Sequence, residues 1–279
     1  MGEELENIGE EQPIAPIYAG KKIVVEYTDP NPFKVFHIGH LMQNTIGETL
    51  TRIAEAQGAE VKRFCYQGDV GRHVALTLWG LRLMEEGLPS DSASISEKVA
   101  YFGKAYALGA TRFKKLEDEG KAKGHVDEQG RVNSEEFVEM EKEIREINKK
   151  IYDRSDEELN EIYDIGKEWS LEHFEELYKI LGTQFDRYFF ESQATPKGIE
   201  IVKAHTAPKG KSVFKESNGA IIFEGEAYGL HTRVFINRDG IPTYDGKEIG
   251  LVPLKYEAYP YDLGITVTAN EQDEYFKVV

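Results

Sequence analysis

The sequence predicts an α/β protein: a parallel sheet split into two halves by a mainly helical insertion. Three observations carry this reading. A strand, a helix and a second strand follow one another between Lys22 and Tyr66, the spacing of a βαβ unit with a right-handed crossover. Helical periodicity then dominates from Val74 to Leu181. Near Thr232 the strand signals return, and with them the parallel pattern.

Taken in order, the opening of about twenty residues is polar and acidic and reads as a tail; it has neither the basic lead nor the apolar run of a signal peptide. Lys22 to Tyr27 (KIVVEY) is a β-branched strand. The loop TDPNPFKVF leads into a helix from Ile38 to Gln57. Its apolar residues Leu41, Ile46, Leu50, Ile53 and Ala54 form one stripe, and Gly58 stops it. Glu60 to Tyr66 is the second strand, closed by Gly68-Asp69-Val70-Gly71. Farther on, Phe137, Met140, Ile144, Ile147 and Ile151 alternate three and four apart, the mark of an amphipathic helix. Phe185 to Phe190 reads as a short aromatic strand, and Lys211 to Glu224 as a hairpin around Ser217-Asn218-Gly219. Thr232 to Ile236 is a strand, Arg238-Asp239-Gly240 a turn, and Pro242 opens a short helix. Tyr261 to Thr268 is a strand, and a last helix begins near Glu271. The chain thus divides into a tail (1–20), a first half of the sheet domain (21–73), a mainly helical insertion with short strands (74–230) and a second half (231–279).

The net charge of -16, from 34 basic and 50 acidic residues, argues against a broad nucleic-acid face and leaves room for a local basic pocket. No stretch approaches the roughly 20 apolar residues that span a bilayer. The single cysteine, Cys65, excludes an internal disulfide and fits a reducing compartment, so a cytoplasmic protein without membrane partners is expected. His73, His125, His173, His205 and His231 are too scattered for a metal-ligand pattern, and no protein-bound metal is expected. Neither a P-loop nor a strand-borne Gly-x-Gly-x-x-Gly occurs.

The sharpest chemical signal is His37-Ile38-Gly39-His40, at the mouth of a predicted helix just after the first strand. A helix N-terminus beyond the carboxyl end of a parallel strand offers free N–H groups and a favourable dipole to phosphate. Two imidazoles there can donate to phosphate oxygens, and Gly39 leaves room for a nucleotide against the backbone. Lys34, three residues earlier, can neutralise phosphate charge. Glu26 ends the first strand and Asn31 follows in the loop; both should face the crevice. Tyr244 and Glu248, four apart on a predicted helix, share a face. Asp69, between glycines, either shapes the pocket floor or makes a turn.

His-Ile-Gly-His after a first strand resembles the signature of class I aminoacyl-tRNA synthetases and related nucleotidylyl transferases. The string VVEYTDPNPFKVFHIGHL resembles the arginyl-tRNA synthetase version, as do YQGDVG, DGIPTYDGKEIG and TVTANEQDEYFK, in the family's order. Val70 stands where the family usually has tryptophan, and Glu248 where it usually has aspartate. The resemblance implies a Rossmann-like catalytic domain that activates L-arginine with ATP and Mg2+ to arginyl-adenylate, then passes it to arginine tRNA. It implies His37, His40 and Lys34 as catalytic residues, with His37, Gly39 and His40 at ATP. It places Glu26, Asn31, Tyr244, Glu248 and Gln272 around arginine, and Gly68 and Asp69 along the pocket. The family continues with a Lys-Met-Ser-Lys-type loop and a helical anticodon-binding domain, so weak or no aminoacylation by this chain alone, and a complementary C-terminal fragment as partner, are expectations. A non-catalytic synthetase-derived fragment and a small-molecule ligase or nucleotidylyl transferase of the same fold remain open alternatives.

Overall fold

The computed structural model describes residues 16–206 and 212–279; most of the expected tail, and Lys211 at the start of the expected hairpin, lie outside the described residues. Four parallel strands form the main sheet: β1 (Lys22–Glu26), β2 (Glu60–Gln67), β3 (Arg187–Phe190) and β7 (Leu263–Thr266), in the order β3-β2-β1-β7. Chain order reverses direction between β2–β1 and β1–β7, and such a switch point opens a crevice at the carboxyl ends of the strands. Glu26 pairs with Phe64 on one side and Thr266 on the other, which fixes it at that end of the sheet.

The sheets do not follow the expected halves. β3 falls inside residues 74–230 yet pairs parallel with β2, so the helices before it are an enlarged crossover between two neighbouring strands. The strand after Thr232, expected to resume the parallel sheet, is β6 (Arg233–Ile236). It joins β4 (Lys215–Ser217) and β5 (Ala220–Phe223) in a separate antiparallel sheet. Asn218 and Gly219, at φ 49° and 79°, make the two-residue turn between β4 and β5.

Helix α1 (Ile38–Ala56) follows β1, and Gly58 past its end has φ 85°. Its buried face is not the apolar stripe. His40, Asn44, Gly47, Glu48, Thr51 and Ala54 face inward, while Leu41, Ile46, Leu50 and Ile53 are exposed. Hydrogen bonds dock this helix. The buried Tyr27 hydroxyl donates to Glu48 at 2.6 Å, Asn44 Nδ2 donates to Thr28 Oγ1 at 3.0 Å, and Thr183 Oγ1 donates to Asn44 Oδ1 at 3.0 Å. Gly47 lets the Tyr27 ring lie against the backbone, where a Cβ would come within 2.1 Å of a ring carbon. A buried hydrogen-bonded network specifies a docking geometry that apolar contact alone leaves loose.

The crossover from β2 to β3 contains α2 (Arg72–Gly80), α3 (Ile95–Ala122), α4 (Glu135–Asp153) and α5 (Glu157–Leu181). Met140, Ile144, Ile147 and Ile151 are buried, with Phe137 packed at the edge, so the three-four spacing of α4 does mark its core face. Phe33, from the loop after β1, enters the same apolar cluster and ties the helical bundle to the crevice.

On the opposite face of the sheet lie α6 (Glu191–Ala204) and α7 (Tyr244–Ala258), followed by the short α8 (Asp273–Val278). Pro196 and Gly198 hid α6 in the sequence, because both lower helix propensity. The fold uses Gly198 for close approach: α6 and α7 touch there, and a Cβ on Gly250 would meet the Ala194 carbonyl at 2.1 Å. Leu251 of α7 is fully buried against Val24, Phe64, Phe189 and Ala194, which anchors the first turns of α7 beside the strand ends.

Candidate active site

The loop from β1 to α1 is strained. Thr28, Asp29 and Phe33 have φ of 76°, 43° and 68°, and each non-glycine residue held there costs on the order of 1–3 kcal/mol. Three hydrogen bonds hold the loop. The Tyr66 amide donates to Asp29 Oδ1 at 2.7 Å, the Gly68 amide to Asn31 Oδ1 at 3.0 Å, and the Phe33 amide to Ser170 Oγ at 3.0 Å. Burial and the nearby Glu26 push the Asp29 carboxyl well above the ordinary range, against the Tyr66 amide and Lys255. Asn31 is thus half committed: its oxygen serves Gly68, where a Cβ would strike it at 2.3 Å, and its amide NH2 remains to donate.

His37 caps α1. Its Nδ1 accepts the Gly39 amide at 3.1 Å, and its own amide donates to His40 Nδ1 at 3.2 Å. The imidazoles therefore occupy part of the helix N-terminus that the sequence reading assigned to phosphate. A neutral ring that accepts at Nδ1 carries its proton on Nε2. Burial, then His37 and Lys34, push His40 down to about 4, so its ring is neutral at pH 7. The two rings stack with centroids 3.8 Å apart and planes 18° apart, presenting two Nε2–H donors side by side. Gly39 is needed for this cap, since a Cβ would lie 2.9 Å from the His37 ring. Lys34 sits half-buried with its ammonium 5.7 Å from the centre of the Tyr106 ring; burial lowers its pKa, against the pull of Glu191.

Across the crevice, His73 donates from Nε2 to the Gly68 carbonyl at 2.9 Å. Asp69 is fully buried and accepts from Lys167 Nζ at 2.6 Å, Ser192 Oγ at 2.6 Å, the Ser192 amide at 2.9 Å and the Tyr163 hydroxyl at 3.2 Å. That density of donors makes Asp69 the joint between β2, α5 and α6. Removing a carboxylate so bound strands its partners, so Asp69→Ala should lose about 3–5 kcal/mol of stability in a denaturant melt. A loss under about 1 kcal/mol would contradict this role. Beside it, Lys247 and Glu191 form a buried ion pair at 2.6 Å. Burial works to lower Lys247, and Glu191 with Tyr152 more than offsets it.

The third cluster is acidic. Glu26 and Glu248 are both buried, at 2% and 7% exposure. Burial, then Glu26, raise Glu248 to about 7, opposed by Lys255 and Tyr275. Lys255 Nζ lies 3.1 Å from Glu26 Oε2, an ion pair whose alignment leaves that oxygen without a well-formed hydrogen bond. Thr266 donates to Oε1 at 3.5 Å. Tyr244 opens α7 and is 68% exposed, and the one hydroxyl proton of Tyr275 in α8 is shared between the Tyr244 carbonyl at 3.2 Å and Glu248 at 3.5 Å. Gln272 is exposed in a 3-10 turn and makes no side-chain hydrogen bond among the described residues; Tyr275 is the member of that segment that reaches the cluster.

The sequence reading missed Lys255, Asp29 and Tyr275. Lys255 had a signal, since it follows Glu248 by seven residues, two turns on one helix face. Asp29 lies only three residues beyond Glu26 in the loop that follows β1, whereas Tyr275 had no signal, because only the tertiary fold brings α8 to Glu248. Among the described residues no cluster of His, Cys, Asp and Glu could hold a metal ion, and no helix is long and apolar enough to cross a membrane.

A parallel sheet with a crevice at its switch point and stacked histidines at the following helix is the frame of a class I synthetase catalytic domain. Residues 10–279 match the family described as tRNA synthetases class I (R), catalytic domain, and the chain belongs to that family. It is 26% identical over 258 residues to the arginine–tRNA ligase of Parabacteroides distasonis and 27% identical over 280 residues to that of Treponema denticola, covering 92% and 99% of this chain. It spans 42% of the length of each. The fold matches the crystal structure of arginyl-tRNA synthetase from Plasmodium falciparum with a TM-score of 0.64 at 17% identity, over 94% of this chain and 39% of that one. The Thermus thermophilus enzyme gives 0.56 at 22%, over 90% and 38%.

Proposed function

We propose that this chain is the arginine- and ATP-binding core of an arginine–tRNA ligase. The observation that carries this reading is the acidic cluster: two buried carboxylates, Glu26 and Glu248, that share one lysine cation, Lys255. A guanidinium supplies the planar, multiply donating cation that such carboxylates lack. Glu26 and Glu248 take that group, while Tyr244, Asn31 and Gln272 line the approach. The arginine carboxylate oxygen attacks the α-phosphorus of ATP, the bond to the β-phosphate oxygen breaks, and pyrophosphate leaves. His37 and His40 donate from Nε2 to phosphate oxygens as charge builds, Gly39 keeps their cap closed, and Lys34 neutralises the leaving group. Gly68 and Asp69 hold the crevice wall. Magnesium arrives with ATP. A ribose hydroxyl of arginine tRNA then attacks the arginyl carbonyl, releasing AMP. A cytoplasmic location belongs to the same reading.

Calorimetric titration with L-arginine, against L-lysine and L-citrulline, tests it. Arginine should bind, and citrulline, the same shape without the charge, should bind at least about thirtyfold more weakly. Equal binding of the two would remove the basis of the assignment.

A further inference from the structure

We propose that Lys255 is a positioning residue of the arginine pocket, the built-in counter-ion that holds Glu26 from beneath and neutralises one of the pocket's two carboxylates. The proposal rests on the reading of Glu26 and Glu248 as guanidinium ligands. Side chains on a helix lean toward its N-terminus, so Lys255, two turns below Glu248, directs its stem back up α7 toward the crevice. It is 7% exposed, over the apolar floor that includes Leu251, and reaches Glu26 Oε2 at 3.1 Å.

The charges facing this ammonium come from every element around it. Glu26 ends β1, Asp29 lies in the loop beyond, Glu248 shares α7, and Tyr261 precedes β7; Tyr66, Glu191 and Tyr275 face Glu248 from β2, α6 and α8. Burial works to lower Lys255, and Glu26 and Glu248 together outweigh it, so the side chain stays a cation. Glu26 and Glu248 with Lys255 carry one negative charge in excess when both are ionised. A single guanidinium balances that excess. Without Lys255 the same guanidinium meets two uncompensated carboxylates, and one must keep a proton. Lys255 therefore does two things at once: it fixes the Glu26 carboxylate in place, and it fits the pocket to a ligand side chain of charge +1.

The test is arginine affinity by calorimetry from pH 6 to pH 9 on wild type, Lys255→Met and Lys255→Arg. In wild type the affinity should rise with pH, with a midpoint near that of Glu248, about 7. Lys255→Met should weaken arginine at least about tenfold at pH 7 and move the midpoint up by about one pH unit or more, because the cation that favours ionisation is gone. Lys255→Arg, which keeps the charge, should return the midpoint to the wild-type value. A merely structural role lowers affinity without moving the midpoint, and that outcome overturns the proposal. An unchanged affinity and midpoint in Lys255→Met overturns it as well, and leaves the arginine pocket standing. Failure of wild type itself to bind arginine overturns the pocket and the proposal together. Should Lys255→Met not fold, Lys255→Gln carries the same expectations with a side chain that can still hydrogen-bond Glu26.

Discussion

Glu26→Gln, which preserves shape and removes one charge, is expected to cut arginine affinity by about 2–5 kcal/mol, a factor of at least thirty or so. Two losses add. The guanidinium forfeits a buried carboxylate, and the incoming cation then meets Lys255, which no longer has its partner 3.1 Å away. In the free protein the substitution takes from a buried ammonium its ion-pair partner, so a fall in stability of about 3–5 kcal/mol accompanies it. Binding and folding separate cleanly if the titration is run well below the melting range of the variant. Arginine affinity within about threefold of wild type would show that Glu26 serves only Lys255 and that the guanidinium sits elsewhere.

The position of Glu26 could be foreseen because it depends on local rules. A strand of β-branched residues ends there, and a loop of Pro and Asn follows. The same holds for α1, whose histidines and terminal Gly58 set both ends, and for the core face of α4, where spacing alone selected Met140, Ile144, Ile147 and Ile151. What the sequence hid was hidden for physical reasons. The buried face of α1 is polar because Tyr27, Thr28 and Thr183 supply hydrogen-bond partners from outside the helix, and a stripe of leucine and isoleucine says nothing of those. α6 was invisible because Pro196 and Gly198 weaken its helix signal, while close contact with α7 requires a glycine there. The antiparallel pairing of β6 is a matter of which edge it meets, a long-range choice that its own residues do not specify. Within the candidate site, His37, His40 and Glu248 could be picked out as residue types and by their spacing. The tautomers of the histidines and the counter-ion under Glu26 could not, since both follow from distances between groups.

Arginine affinity should also depend on pH in a direction set by Glu248. Burial in the α7 wall disfavours its charged form, and the Glu26 carboxylate adds repulsion; Lys255 and Tyr275 oppose both without cancelling them. The group therefore titrates at about 7 in the free protein. A bound guanidinium favours the ionised form and pulls that pKa down, so binding at pH 6 must expel a proton and binding at pH 9 need not. The sign follows: arginine binds more tightly as pH rises through 7, by about tenfold per unit on the acid side, and levels off above about pH 8. His40 does not reverse this slope, since its pKa of about 4 leaves it neutral across the whole window. Glu248→Gln should weaken arginine at every pH and flatten the profile, because the carboxyl that titrates at about 7 is gone. Calorimetry at pH 6 in two buffers of different ionisation enthalpy gives an independent reading, with about one proton released per arginine in wild type and close to none in Glu248→Gln. A flat wild-type profile would mean that the guanidinium does not engage Glu248. Glu26 would then be its sole carboxylate partner.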